Sequence, residues 1–256
     1  MEFIQSLVDL FSPKHKAVAK PPVRKYDYDL DHPMIKELRE GDIILYRFRG
    51  EKDFPGGVIS YMTSSPYSHV ETHTFDGYDV SASTNGVTFV DLYKSHIVDG
   101  ENRVDVMRLK GGLSREQRLI IFSKLAQSLL KPYDYANLVG FPYLKGEAAL
   151  RKAGNDAYIC SELTAWAYNN AGLDLIKATP ESIESPSDVA RSDLLDYVGT
   201  FEKGVKLEGN FRNEFHGEEY SRFSEFIAKF MGLLTKRDEY YKGLYLNKAL
   251  LEGEIK

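Results

Sequence analysis

The chain holds 256 residues, with 33 basic and 38 acidic side chains for a formal charge of −5 and 43% apolar residues, enough for an ordinary globular core. An acidic balance without a dominant Lys/Arg block excludes a protein that works mainly by gripping nucleic-acid phosphates. One cysteine excludes an intrachain disulfide and a Cys-rich zinc cluster, and no apolar run approaches the roughly 20 residues of a membrane-spanning helix.

The first residues carry no basic leader, and Asp9 interrupts the apolar stretch, so the start does not read as a secretory signal. A cytoplasmic location is the default expectation, with a virus-like particle or another export route as the alternative. Phe3, Ile4, Leu7, Val8 and Phe11 fall at helical spacing and predict an amphipathic helix over 2–12, docked on the body or anchoring a membrane surface or protein partner. Residues 14–25 are basic and proline-bearing, a linker composition. Gly41-Asp42 followed by Ile43-Ile44-Leu45-Tyr46 predicts the first buried strand, and 54–63 a short helix. Residues 69–75, 78–83 and 87–92 predict strands separated by Asp76-Gly77 and Asn85-Gly86, dipeptides that supply the positive φ of primed hairpin turns. Residues 103–109 predict one more strand, after which Gly111-Gly112 ends the sheet and helices begin.

Ser114 and Gln117 form a capping box ahead of a helix whose predicted inner face is Leu119, Phe122, Leu125, Ala126 and Leu129, closed by Lys131-Pro132. Residues 133–141 predict a partly helical aromatic segment and 160–170 a second strong helix. Residues 178–188 predict an ordered loop in which Ser187-Asp188 caps a short helix. From about 218, Tyr220, Phe223, Phe226, Ile227, Phe230, Leu233 and Leu234 form an apolar stripe of a helical C-terminal appendage. Three regions follow: 1–37, an amphipathic helix and basic linker; 38–200, the main domain; and 201–256, the appendage.

The one thiol stands where chemistry is favoured. Cys160 opens a predicted helix, whose N-terminus offers partial positive charge and unpaired N–H groups. Both stabilise a thiolate, the nucleophilic form, and the same N–H groups can hold an oxyanion. A base is also required. His15, His32 and His216 read as surface residues and His96 as a loop residue, whereas His69 and His73 lie on a predicted strand and bracket Glu71. Strand alternation puts 69, 71 and 73 on one face, where a carboxylate can orient a histidine and stabilise its imidazolium. The same trio could instead ligate zinc, the metal alternative.

Ser68-His69-Val70-Glu71 after the Gly41-Asp42 strand, then Lys131-Pro132-Tyr133-Asp134, then Tyr158-Ile159-Cys160-Ser161-Glu162-Leu163, resembles the circularly permuted papain-like cysteine hydrolases. Within them it is similar to the YiiX/YaeF-like branch of the NlpC-type cell-wall peptidase superfamily, over about 38–200. The resemblance implies an α+β permuted papain-like (NlpC-type) fold, an antiparallel sheet packed against helices, here with extra N- and C-terminal helical segments. It implies Cys160 as nucleophile and His69 as base, no metal or organic cofactor, and a peptide or other acyl substrate. Many relatives carry a small residue two positions after the histidine and an acidic residue on the next strand. This chain has Glu71 at the first position and Ser81 and Ser83 on the second strand, so Glu71 is the expected third catalytic residue and Ser81 the alternative. Tyr133 and Ser161 are expected at the oxyanion or substrate-binding side. The implied function is hydrolysis of an amide bond, cell-wall peptide included, through a thioester. The alternatives are a catalytically inactive structural or binding module with a protein partner on its terminal helices, or a lipid or thioester acyl hydrolase or transferase using the same residues.

Overall fold

The computed structural model describes residues 32–48, 54–75, 77–98, 103–134, 157–176, 184–212, 214–215 and the positions 221, 222, 224–226 and 229. The predicted helix over 2–12, the basic stretch 14–25, His15, His216, the segment 135–141 and most of the C-terminal stripe lie outside these residues.

The chain is α+β. Its elements, in order, are α1 (Pro33–Glu37), β1 (Ile43–Arg47), α2 (Phe54–Thr63), β2 (Tyr67–Phe75), β3 (Tyr78–Ser83) and β4 (Gly86–Asp91). They continue with β5 (Arg103–Leu109), α3 (Arg115–Ser128), α4 (Cys160–Asn170), α5 (Pro186–Ala190), β6 (Leu195–Glu202) and β7 (Val205–Lys206). The strands form one seven-stranded antiparallel sheet in the order β4-β3-β2-β1-β5-β6-β7. Among the described residues no helix is long and apolar enough to cross a membrane.

The continuous apolar run of β1 follows from burial on both sides, as expected of a central strand covered on two faces. Ile43 and Leu45 join Val70, Val80 and Met107 beneath α3 and α4, while Ile44 joins Met34, Val106 and Phe201 on the opposite face. Gly41 and Asp42 set where β1 begins. Gly41 holds φ +84°, and a Cβ there would stand 2.1 Å from Leu113 Cδ1, so only glycine fits. The Tyr168 hydroxyl, kept protonated by burial, donates to the Gly41 carbonyl, and Asp42 accepts two bonds from the Arg108 guanidinium at 2.7 and 2.6 Å. These contacts fasten β1 to α4 and β5.

Several local expectations change. The sheet does not end at Gly111-Gly112, since β6 and β7 add to its far edge after the helices; their alternation of buried and exposed residues is broken by a shift in register between Val106 and Met107. At the β3–β4 turn the positive φ falls on Gly86 alone, a turn followed by a left-handed glycine rather than a primed turn. In α3, Leu119 is 62% exposed and Ile121 and Leu125 face the core. The run Leu119 to Phe122 is apolar on every side, and packing rather than pattern chose the phase. The α5 cap is Ser185, whose hydroxyl accepts from the Asp188 amide while Asp188 accepts from the Ser185 amide, so Ser187 lies inside the helix. His32 caps α1 through Nδ1, and Tyr93–Val98 form a wide π turn rather than a loop.

Candidate active site

Cys160 is the first residue of α4, preceded by Ile159 in an extended conformation. Apolar Ile159 offers no side-chain cap, so the helix start keeps backbone donors that a capping side chain would otherwise take. Glu162 reaches back to accept from the Ile159 amide at 3.3 Å, which fixes the entry of the chain into the helix. The helix packs on α3, β2 and β3, with Thr164 Oγ1 3.3 Å from Thr72 Oγ1.

His69 is delivered by β2. The β2–β3 ladder runs from Phe75↔Tyr78 to Thr72↔Val80 and includes no pair at His69. Beyond that ladder the His69 ring stands near enough to Cys160 for the thiol to influence its charge. Nε2 of His69 is 2.7 Å from Ser81 Oγ and 3.4 Å from Glu71 Oε1, so both contacts fall on the same ring nitrogen. A quarter of the His69 side chain reaches the surface, whereas Cys160 is 3% exposed and packs within the main core. The site therefore opens on the imidazole side.

Burial, the largest influence on His69, works against its charged form. The influences of Cys160 and Glu71 beside the ring together outweigh it, and the pKa is pushed up to about 10.

Behind His69 stands a set of groups that sequence reasoning did not find. The Tyr46 hydroxyl donates to Glu71 Oε2 at 2.7 Å, and its ring meets the imidazole edge-on with centroids 5.4 Å apart. Tyr46 pairs with His69 across β1 and β2, a register that no local pattern announces. His73 Nδ1 lies 2.7 Å from Asp79 Oδ1, and Asp79 also meets Glu71. Burial pushes the Asp79 carboxyl well above the ordinary carboxylate range; His73 opposes that rise and Glu71 adds to it. His69 and His73 thus have different nearest partners, Ser81 and Asp79, while Glu71 stays beside the His69 ring. Among the described residues no three His, Cys, Asp or Glu side chains are grouped as a metal site.

The remaining predicted site residues are placed as follows. Tyr133 pairs as a parallel bridge with Tyr158, flanked by the Asp134 amide on the Tyr158 carbonyl at 3.1 Å and the Tyr158 amide on the Pro132 carbonyl at 3.2 Å. The segment 131–134 therefore runs alongside the residues leading into the thiol, with the Tyr133 ring packed against the core. Ser161 is fully buried and its hydroxyl donates to the Glu184 carbonyl at 2.6 Å, tying the start of α4 to the α5 cap.

No family model and no curated protein matches the sequence. Among solved structures the chain is similar to the metalloprotein yiiX from Escherichia coli O157:H7, a DUF1105 protein, with 22% identity and a TM-score of 0.48. The match covers 65% of this chain and 99% of that one.

Proposed function

We propose that the chain is a cysteine hydrolase of the permuted papain-like type, acting on an amide bond of a peptide, with cell-wall peptide as the substrate class its sequence resemblance favours. The observation that carries this reading is the meeting of Cys160 and His69 with Nε2 of the ring held from behind by Ser81 and Glu71. A lone structural cysteine has no need of an imidazole so oriented. The order of the parts, histidine strand before cysteine helix, and the antiparallel sheet packed against that helix suit the permuted arrangement.

In this reading His69 takes the proton of the Cys160 thiol. The sulfur attacks the carbonyl carbon, and backbone donors at the start of α4, including the amides of Cys160 and Ser161, face the developing oxyanion. Glu71 and Ser81 hold the imidazolium in orientation, and Tyr46 fixes Glu71. The imidazolium gives its proton to the leaving amine, and the C–N bond breaks to leave a thioester. Water, deprotonated by His69, then attacks the thioester; the acid leaves and the thiol is restored. An ester or thioester substrate follows the same steps.

A thiol-directed acyl probe tests the reading. It should label Cys160, and labelling should fall sharply in His69→Ala. Equal labelling of folded variant and native protein would instead support an inactive binding module, the reading that the 3% exposure of Cys160 favours.

A further inference from the structure

Beyond the thiol, on the same face of the sheet, lies a cavity of about 470 Å³ between the start of β2 and α5. Thr72 and Thr164 are in contact, and α4 runs in the direction of β2, since Tyr168 reaches Gly41 beside His73. The cavity wall at Tyr67 stands two strand residues, about 7 Å, before His69, the residue beside the thiol.

Its lining is unlike a random surface hollow. Ser187 is 1% exposed, lines the cavity, and its Oγ has no hydrogen-bond partner among the described residues. A buried hydroxyl is seldom left so unless a ligand or water completes it. Arg191 and Arg212 line the same space. Arg212 donates to the Ala190 carbonyl, and among the described residues it has no carboxylate partner while Arg191 has one, Asp188, at 3.8 Å. Phe215 supplies an apolar wall. Two fork-shaped cations with a free hydroxyl match an oxyanion, and the volume admits the group that carries it.

We propose that this cavity binds an oxyanion, a carboxylate or phosphate carried by the substrate, and selects acidic acyl substrates for Cys160. The selection role rests on the hydrolase reading; the binding does not. The Arg191 and Arg212 side-chain resonances, followed by NMR against glutarate and against inorganic phosphate at constant ionic strength, test the binding. Saturable shifts that weaken about tenfold in both Arg191→Gln and Ser187→Ala are expected, and the better of the two anions identifies the chemistry. Shifts that grow linearly as they do with chloride, or that both variants leave unchanged, would overturn the proposal. The selection role is read from labelling of Cys160 by 6-maleimidohexanoate against N-hexylmaleimide. The acid should react faster, and Arg191→Gln should bring the two to one rate. Equal rates in the native protein would remove the cavity from the substrate path. Failure of both reagents would count against the thiol chemistry while leaving the NMR result to decide the anion site.

Discussion

Nε2 of His69 lies 2.7 Å from the Ser81 hydroxyl, closer than the 3.4 Å that separates it from Glu71 on its own strand. Two side chains thus share one nitrogen, and they differ in what they supply. Ser81 supplies direction; Glu71 supplies direction and charge. Losing a hydrogen bond to a charged partner costs about 1.5–3 kcal/mol and losing a neutral one about 0.5–1.5 kcal/mol. Glu71→Gln should therefore slow acylation of Cys160 by about tenfold to hundredfold, and Ser81→Ala by about twofold to tenfold. Stopped-flow acylation rates of the two variants check the order, and a larger loss in Ser81→Ala would move the third catalytic role to the serine.

The pH dependence follows from the His69 shift. Its pKa in the folded chain, about 10, lies above the ordinary 6.5. A raised basic group contributes stability that is full below its unfolded value and is lost as pH rises through the folded one. The contribution of His69 should thus be complete at pH 6 and fade towards pH 10 and above. Thiol reactivity that depends on the imidazolium should hold through neutrality and fall on the same alkaline limb. Titration of the His69 ring proton by NMR gives the midpoint, and in Glu71→Gln that midpoint should move down. A native midpoint in the ordinary histidine range would contradict the assigned pairing.

Asp79 should report on stability with the same sign, in a lower pH window. Its carboxyl is fully buried beside His73 and Glu71 and is raised above the ordinary carboxylate range. A raised acid binds its proton more tightly when folded, so its contribution falls as pH climbs above about 4, where the unfolded carboxyl ionises. Asp79→Asn keeps an acceptor for His73 and cannot ionise. Urea midpoints of this variant should decline less than those of the native chain between pH 4 and neutrality; parallel curves would show that Asp79 does not titrate in that interval.

A separate buried pair fastens the end of the sheet. Arg47 and Asp105 are 1% and 0% exposed and 2.8 Å apart, and Tyr67 and Thr200 also donate to Asp105. Arg47 in turn donates to the carbonyls of Phe211 and Glu214, which holds that segment against the sheet. Removing one member leaves a buried charge unpaired, at a cost of about 3–5 kcal/mol. Asp105→Ala should lower the unfolding free energy by that amount and expose the segment at 211–214 to limited proteolysis, whereas a change below about 1 kcal/mol would mean that the pair is not buried in solution.

How much of this was legible in the sequence depends on whether the information is local. The strands at β1 to β5, the Ser114–Gln117 capping box and the helix beginning at Cys160 follow from patterns within a few residues. The joining of His69 to Cys160 came instead from order and resemblance, as no local rule brings together residues so far apart. Tyr46 and Asp79 were invisible because their roles arise from strand register, which sequence alternation does not index. Likewise the tie of Ser161 to Glu184 depends on where α5 docks, which no local pattern announces. The β6 strand escaped notice since half of its residues face partial solvent and its pattern is interrupted.

The central claim is that the Cys160 sulfur forms and clears an acyl bond with His69 as its proton carrier. Intact-protein mass spectrometry during turnover of a p-nitrophenyl ester reads this directly. The account predicts an acyl adduct on Cys160 that appears with nitrophenol release and then decays, absent in Cys160→Ala and strongly slowed in His69→Ala. Nitrophenol release at an unchanged rate in Cys160→Ala, with no adduct on the native thiol, would contradict it.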